Sequence, residues 1–261
     1  MSDENPVRVE RKGAVQWITI DRPERRNALN EAVLAGIAEG LRGAMEDGAT
    51  RAIVLTGAGE KAFCAGADLV QGAGSPLKLD PSRATQPVIE LFRLIEACNL
   101  PLIARVNGHV LAGGMGLLCA CDMAVAADSA LFGTPEVKVG LFPMQVLSYM
   151  LRVIPRRKLM EMAITGEPFT AAEALEMGLV NYVVPAAELD AKLEWLLGRT
   201  LDKSPTAIRL GKNALHTLPD LTLQEAFAFT QASFGVIAAT EDAQEGIRAF
   251  NEKRSPTWSG R

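Results

Sequence analysis

The chain has 261 residues, 48% of them apolar and 22% charged, the balance of a globular protein rather than a disordered or fibrous one. Lys and Arg number 27 against 31 Asp and Glu, a formal charge of −4, which argues against a duplex nucleic-acid binder that would need a basic face. At this length the prior is one large domain or two small ones, with a core that needs no disulfide or metal staple.

Val15 to Ile20 reads as a strand, ended by Asp21-Arg22-Pro23. From Asn30, the residues Val33, Leu34, Ile37, Leu41, Ala44 and Met45 recur with helical spacing, and Gly48 closes the helix. Ala52 to Leu55 is a short buried strand running into a glycine-containing loop. Pro87 opens a second helix marked by Val88, Leu91, Phe92 and Ile95. Leu102 to Val106 is a strand, Asn107-Gly108 a turn, Gly113 and Gly114 the start of a helix through Cys119, and Met123 to Ala126 a returning strand. The first 130 residues thus repeat strand, loop and helix, the pattern of an α/β fold.

After Pro143 helices dominate, over Gln145–Leu151, Arg156–Ala163, Ala171–Met177, Leu189–Leu197 and Ala207–Leu215. Leu221 to Phe250 then carries Phe227, Phe229, Phe234, Ile237, Ile247 and Phe250. A terminal segment so apolar needs a partner surface, on its own domain or on a neighbouring subunit. There is no low-complexity linker and no repeat of fixed period.

Cys64, Cys98, Cys119 and Cys121 do not make a metal site: Cys119-x-Cys121 is not a CxxC pair, and His109 and His216 are the only histidines. The polar, acidic start Met-Ser-Asp-Glu-Asn is not a signal peptide, and Val110 to Ala127 is too short and interrupted to span a bilayer. No membrane association is expected. Free thiols without an export signal suggest a reducing cytoplasm.

Two strand-to-loop junctions stand out. One runs Ile53-Val54-Leu55-Thr56-Gly57-Ala58-Gly59 and on through Phe63-Cys64-Ala65-Gly66-Ala67-Asp68. The other runs from Val106-Asn107-Gly108 to Gly113-Gly114-Met115-Gly116. Small residues there let a backbone approach a ligand closely. Gly57-x-Gly59-x-x-Ala62 with Asp80 imitates a dinucleotide fingerprint and so raises an NAD-dependent dehydrogenase as one reading. That fingerprint should open a helix at once, whereas Phe63-Cys64-Ala65-Gly66 continues extended and Gly72, Gly74 and Pro76 follow. No Walker loop is present. The second junction serves either close packing or an oxyanion-binding N–H aimed into a cavity. Sequence alone does not show whether the two loops converge. On pattern alone, Thr134 reads as an N-cap, Pro135 as the first helical residue and Glu136 as an exposed acid favoured by the helix dipole.

In order along the chain stand Asp21-Arg22-Pro23 with Asn27-Ala28-Leu29-Asn30, then Ala62 through Asp68, Asn107-Gly108 through Gly116, and Cys121-Asp122. Phe132 through Glu136, Val139 through Pro143, Ile164-Thr165-Gly166, Ala171 through Val180 and Phe250 through Arg254 follow. From Trp17 to Arg254 this series resembles the enoyl-CoA hydratase/isomerase, or crotonase, family. The resemblance implies an α/β spiral of ββα units, a core over residues 1–196, and a C-terminal helical trimerisation region over 197–261. It implies a homotrimer or a dimer of trimers, and an acyl-CoA thioester as substrate. No permanently bound cofactor is implied, with coenzyme A arriving as part of the substrate.

In that family two backbone N–H groups grip the thioester oxygen, and they map onto Ala67 and Gly113, the latter at the positive end of a helix. Of the two glutamates of the family's hydratases, the second maps onto Glu136 and the first onto Gly116. One carboxylate is therefore present and one missing. The resemblance makes Glu136 the acid–base group. It leaves Asp68 either as a helix cap or as the replacement carboxylate. Double-bond isomerisation needs only one base, whereas hydration is easier with two, so isomerisation and hydration of an enoyl-CoA both stand. Gly116→Glu is expected to raise hydration if the missing carboxylate is the limiting defect. A crotonase-fold protein that binds acyl-CoA without turnover is the alternative. For coenzyme A the resemblance points to Asn27, Ala28, Ala65 and Asp68, with Phe234 and Lys253 reaching in from a neighbouring subunit. Arg25 and Arg26 either meet its phosphates or form a solvated charge run. Met144-Gln145-Val146-Leu147 departs from the family's glycine-rich stretch near the acyl pocket.

Overall fold

A computed structural model describes residues 6–68, 82 and 84–261. Asp80, Gly72, Gly74 and Pro76, and any helix that Asp68 would cap, lie outside the described residues. The chain alternates between two sheets. The larger has six strands in the order β1 (Val7–Lys12), β2 (Val15–Ile20), β3 (Ala52–Gly57), β5 (Leu102–Val106), β7 (Met123–Ala127) and β10 (Tyr182–Val184). All its pairs are parallel except β1 with β2. The smaller has four, in the order β4 (Ala62–Cys64), β6 (His109–Leu111), β8 (Leu131–Gly133) and β9 (Phe169–Thr170), parallel up to β8, with β9 antiparallel.

Each turn of the chain contributes one strand to each sheet and then helical structure. β3, β4 and α2 (Pro87–Ala97) make one turn, and β5, β6 and α3 (Gly113–Cys119) the next. The third is β7 and β8, followed by a 3-10 stretch at Pro135–Val139, α4 (Leu147–Val153) and α5 (Arg156–Thr165). This is the spiral of ββα units that the motifs imply.

β3 is buried at every position, as expected for a parallel strand covered on both faces. Ile53 and Leu55 face the main core under α1 (Glu31–Glu46) and α2, with Val33, Leu34, Ile37, Leu41, Leu91 and Ile95. Ala52 and Val54 face a second cluster with Ile103 and Val125, closed by Leu189, Leu193, Leu196 and Leu197 of α7 (Leu189–Leu201). The 196/197 boundary falls inside this helix. Asn30 caps α1 by accepting the Val33 N–H at 2.9 Å, which fixes where the loop 21–30 ends.

Beyond α6 (Ala171–Glu176) and α7, the chain forms α8 (Pro205–Thr217), α9 (Leu223–Ala238) and α10 (Glu241–Glu252). α8 is tied to the spiral through the Lys212 ammonium, 8% exposed, which donates to the Leu100 carbonyl and the Asp122 carboxylate, each at 2.7 Å. α9 packs mainly on α8 and α10 and contains no buried residue. Among the described residues no helix is long and apolar enough to cross a membrane.

Candidate active site

The small sheet is the platform of the site. Ala65–Ala67 follow β4, Ala112 and Gly113 follow β6, and Thr134–Glu136 follow β8. These three strands are parallel neighbours, so all three segments leave the sheet at the same end. Adjacent strands lie about 4.8 Å apart, which spreads the segments over roughly 10 Å, the width of a small reacting group. The Ala112 N–H donates to the Gly133 carbonyl at 2.9 Å and ties the second segment to the third.

The first two segments touch. Gly66 has φ +94°, a conformation open to glycine, and a β-carbon built on it would lie 2.5 Å from the Ala112 β-carbon and 3.1 Å from the Gly113 nitrogen. A β-carbon built on Gly113 would lie 3.7 Å from the Ala67 nitrogen. Gly114 brings α3 against β4 so closely that a β-carbon there would meet the Cys64 carbonyl oxygen at 2.4 Å. The two loops therefore converge. Neither the Ala67 nor the Gly113 N–H donates to any acceptor among the described residues, and both residues are only half-buried.

Strained backbone gathers here. Among the described residues four non-glycine residues have positive φ: Arg26, Asn27, Ala112 and Lys253. Lys253 ends α10 in the left-handed conformation, an ordinary helix stop. The other three sit in the loops flanking Ala67 and Gly113. Ala112, at φ 50° and ψ −122°, directly precedes the Gly113 N–H. Such residues cost about 1–3 kcal/mol each and persist where the surroundings over-determine them.

Glu136 lies on the 3-10 stretch, half-buried, with Oε2 fully buried and lacking a hydrogen-bond partner among the described residues. Burial pushes its pKa above the ordinary carboxylate value, and its own backbone N–H pulls it back only in part. The pattern-based reading of an exposed acid behind a Thr134 cap does not hold. Thr134 is fully buried, makes no cap bond, and its Oγ1 is also without a partner among the described residues.

Gly116 is not an empty position. A β-carbon there would lie 2.5 Å from Val146 Cγ1 and 2.8 Å from Phe92 Cζ. Val146 and Phe92 fill the space into which a side chain would project. The expectation that Gly116→Glu by itself raises hydration is corrected on this ground. Val146, 30 residues downstream, carried no signal for this packing.

Asp68 pairs with Arg22, Nη2 to Oδ2 at 3.0 Å, and both side chains are largely buried. Asn27 is fully buried. Its Oδ1 accepts the Arg22 N–H at 3.1 Å, and its Nδ2 donates to the carbonyls of Ala58 at 3.0 Å and Ala62 at 2.7 Å. Its side chain holds loops together and leaves only backbone for a ligand. The Ala28 carbonyl accepts from Arg22 Nη1 at 2.8 Å, and the Ala65 N–H donates to the Arg26 carbonyl at 3.1 Å. Arg25 and Arg26 are exposed. Phe234, 73% exposed, lies on α9, which packs mainly on α8 and α10, and Lys253 ends α10.

β3 leads after a short turn into β4 rather than into a helix, so the Gly57-x-Gly59 segment is not a dinucleotide fingerprint. Burial pushes the Cys64 and Cys119 thiols up to about 12, far from a reactive thiolate. Among the described residues no group of three His, Cys, Asp or Glu is placed to hold a metal ion.

The profile of the enoyl-CoA hydratase/isomerase family matches residues 10–261. The chain belongs to this family. It is 37% identical over 257 residues to the 2,3-dehydroadipyl-CoA hydratase of Escherichia coli, covering 97% of this chain and 98% of that protein. To the crotonyl-CoA hydratase of Syntrophomonas wolfei it is 35% identical, covering 97% of each. Among solved structures, an enoyl-CoA hydratase from Mycobacterium smegmatis superposes with a TM-score of 0.90 at 33% identity, over 98% of this chain and 99% of that one. The enoyl-CoA hydratase of Bacillus anthracis gives 0.89 at 32% identity, over 98% and 100%. The chain is thus a crotonase-fold enzyme of the hydratase/isomerase family, whose members act on coenzyme A thioesters.

Proposed function

We propose that this protein is a one-glutamate enoyl-CoA enzyme that shifts a double bond between the 3 and 2 positions of an acyl-CoA. The observation that carries the reading is the pair of Ala67 and Gly113 amides, which donate to no acceptor among the described residues, at the same end of the small sheet as Glu136, with the Gly116 position closed by Val146 and Phe92. The thioester oxygen sits between the Ala67 and Gly113 N–H groups. Glu136 as carboxylate takes a proton from C2, and the electron pair moves onto that oxygen to give a dienolate. Glu136 as acid then delivers the proton to C4 and returns to the carboxylate. Two pre-placed donors lower the cost of the dienolate, each worth on the order of 10²–10³ in rate. One acid–base group contributes about 10²–10⁴. The raised pKa of Glu136 suits the first half-step, because a stronger base takes the C2 proton more readily.

Hydration is the second reading within the family, favoured by relatives named as hydratases. It asks for a second group to manage the water. Asp68, the candidate replacement, is engaged by Arg22. Coenzyme A is assigned to the backbone around Asn27, Ala28 and Ala65, to Asp68, and to Phe234 and Lys253 of a neighbouring copy in a homotrimer or a dimer of trimers. Exposed Leu223, Phe227, Phe234, Ile247 and Phe250 support self-association through the C-terminal helices, with residues 197–261 as the assembly region. Free cysteines support a cytoplasmic location.

The test follows the conjugated enoyl-thioester absorbance. Appearance of conjugation from 3-hexenoyl-CoA supports isomerisation, and its loss from crotonyl-CoA supports hydration. No change with either, with coenzyme A retained, supports binding without turnover. Glu136→Gln should abolish whichever activity is present.

A further inference from the structure

The Arg22 guanidinium is 7% exposed and lies in the wall behind the Ala67 loop. Nη2 reaches Asp68 Oδ2 at 3.0 Å and Nη1 the Ala28 carbonyl at 2.8 Å. Its own N–H ends on Asn27 Oδ1, and its carbonyl accepts the Asn27 N–H at 2.9 Å. One side chain thus spans the two strands of a short parallel bridge, in which Leu29 pairs with Ala67. In that bridge the Leu29 N–H donates to the Gly66 carbonyl at 2.7 Å, and the Asp68 N–H donates to the Leu29 carbonyl at 2.8 Å. Residues 66 and 68 therefore point their bonding groups at Leu29, and the Ala67 N–H between them points away from it, its nitrogen 3.7 Å from where a Gly113 β-carbon would lie. Arg22 clamps both sides of this arrangement, Ala28 next to Leu29 and Asp68 next to Ala67. Arg26 and Asn27, the two left-handed residues of the loop, lie within the same clamp.

We infer that Arg22 is a positioning residue, whose ion pair with Asp68 aims the Ala67 amide at the substrate's carbonyl oxygen. The inference rests on the oxyanion reading proposed above. Arg22 touches no reacting atom and acts through the Leu29–Ala67 bridge. Misplacing a catalytic donor by about 1 Å costs on the order of 10²-fold. Loosening the clamp should therefore lower kcat by about 10- to 100-fold.

The experiment uses the full chain and 4-dimethylaminocinnamoyl-CoA, a push–pull chromophore whose absorption moves to longer wavelength as its carbonyl is polarised. Wild type, Arg22→Met, Asp68→Ala and the double variant are compared for the red shift of bound probe and for kcat on 3-hexenoyl-CoA. The expected result is a red shift in wild type that is largely lost in both single variants, with the double variant no worse than the worse single one. Additive losses, or a full red shift with wild-type kcat in folded Arg22→Met, overturn the inference alone. A wild-type spectrum without a red shift overturns the oxyanion reading and the inference with it. If Arg22→Met does not fold, Asp68→Asn against Asp68→Ala decides. Asparagine keeps an acceptor for the guanidinium and should retain most of the shift that alanine loses. Equal behaviour of the two overturns the inference.

Discussion

Replacing Gly66 by alanine tests whether the spacing of the two loops sets the rate. The new β-carbon would lie 2.5 Å from that of Ala112, whereas carbon atoms rest about 3.5–4.0 Å apart, so the loops must part by about 1 Å or more. The residue would also carry a side chain at φ +94°, at a cost of about 1–2 kcal/mol, with overpacking adding about 1–3 kcal/mol. The sum, about 2–5 kcal/mol, should lower Tm by roughly 5–15 °C for a domain of this size. Parting the loops pulls the Ala67 and Gly113 amides off a shared oxygen, for a loss of about 10²–10³ in kcat with KM changing far less. Ala112→Gly removes the opposing methyl and accepts the unusual φ and ψ at lower cost, so the double variant should regain part of both losses. The assay is appearance of the conjugated thioester from 3-hexenoyl-CoA, paired with a thermal melt. A folded Gly66→Ala protein with wild-type kcat would refute the reasoning.

Gly116→Glu alone should lower Tm without producing hydration, because Val146 and Phe92 occupy the space; combined with Val146→Ala the loss should shrink, and crotonyl-CoA consumption reports any hydration gained. The rate should rise with pH through an apparent pKa above the usual carboxylate value of 4.5, since Glu136 must be ionised to take the proton. A buried carboxylate with a raised folded pKa binds more protons folded than unfolded, so its contribution to stability falls as pH rises through that window; Glu136→Gln should therefore melt higher than wild type near neutral pH while losing activity. The pKa of His216 is raised by the Asp122 carboxylate, 3.7 Å from Nε2, and by Glu96, 3.2 Å from Nδ1. Its stabilisation is fully present below the unfolded value of 6.5 and lost as pH rises through the higher folded value, a slope that His216→Ala should flatten in pH-dependent melts.

The long elements follow directly from residue pattern. Residues 52–55 of β3 are a continuous apolar run, and the helical spacing of Val33, Leu34, Ile37 and Leu41 is the buried face of α1. The smaller sheet does not, because β4, β6 and β8 have three residues each and β9 two, too few to show a period of two. These strands are the ones that bring the site segments together, so their convergence is a tertiary fact. The buried bonds of Asn27 to Ala58 and Ala62 join residues more than 30 positions apart, so the structural task of its side chain is not visible in the chain. The absence of a carboxylate at Gly116 is visible in the chain; the Val146 and Phe92 side chains that close the position are not.

The proposed site holds one thioester oxygen between two amides from separate loops, with Glu136 as its acid–base group. The most direct measurement is the isotope-edited infrared spectrum of ¹³C-carbonyl crotonyl-CoA bound to Glu136→Gln, where turnover is blocked. A carbonyl band moved to lower frequency than in solution, and moved back by Gly66→Ala, is the predicted result. A bound carbonyl with its solution frequency would contradict the account.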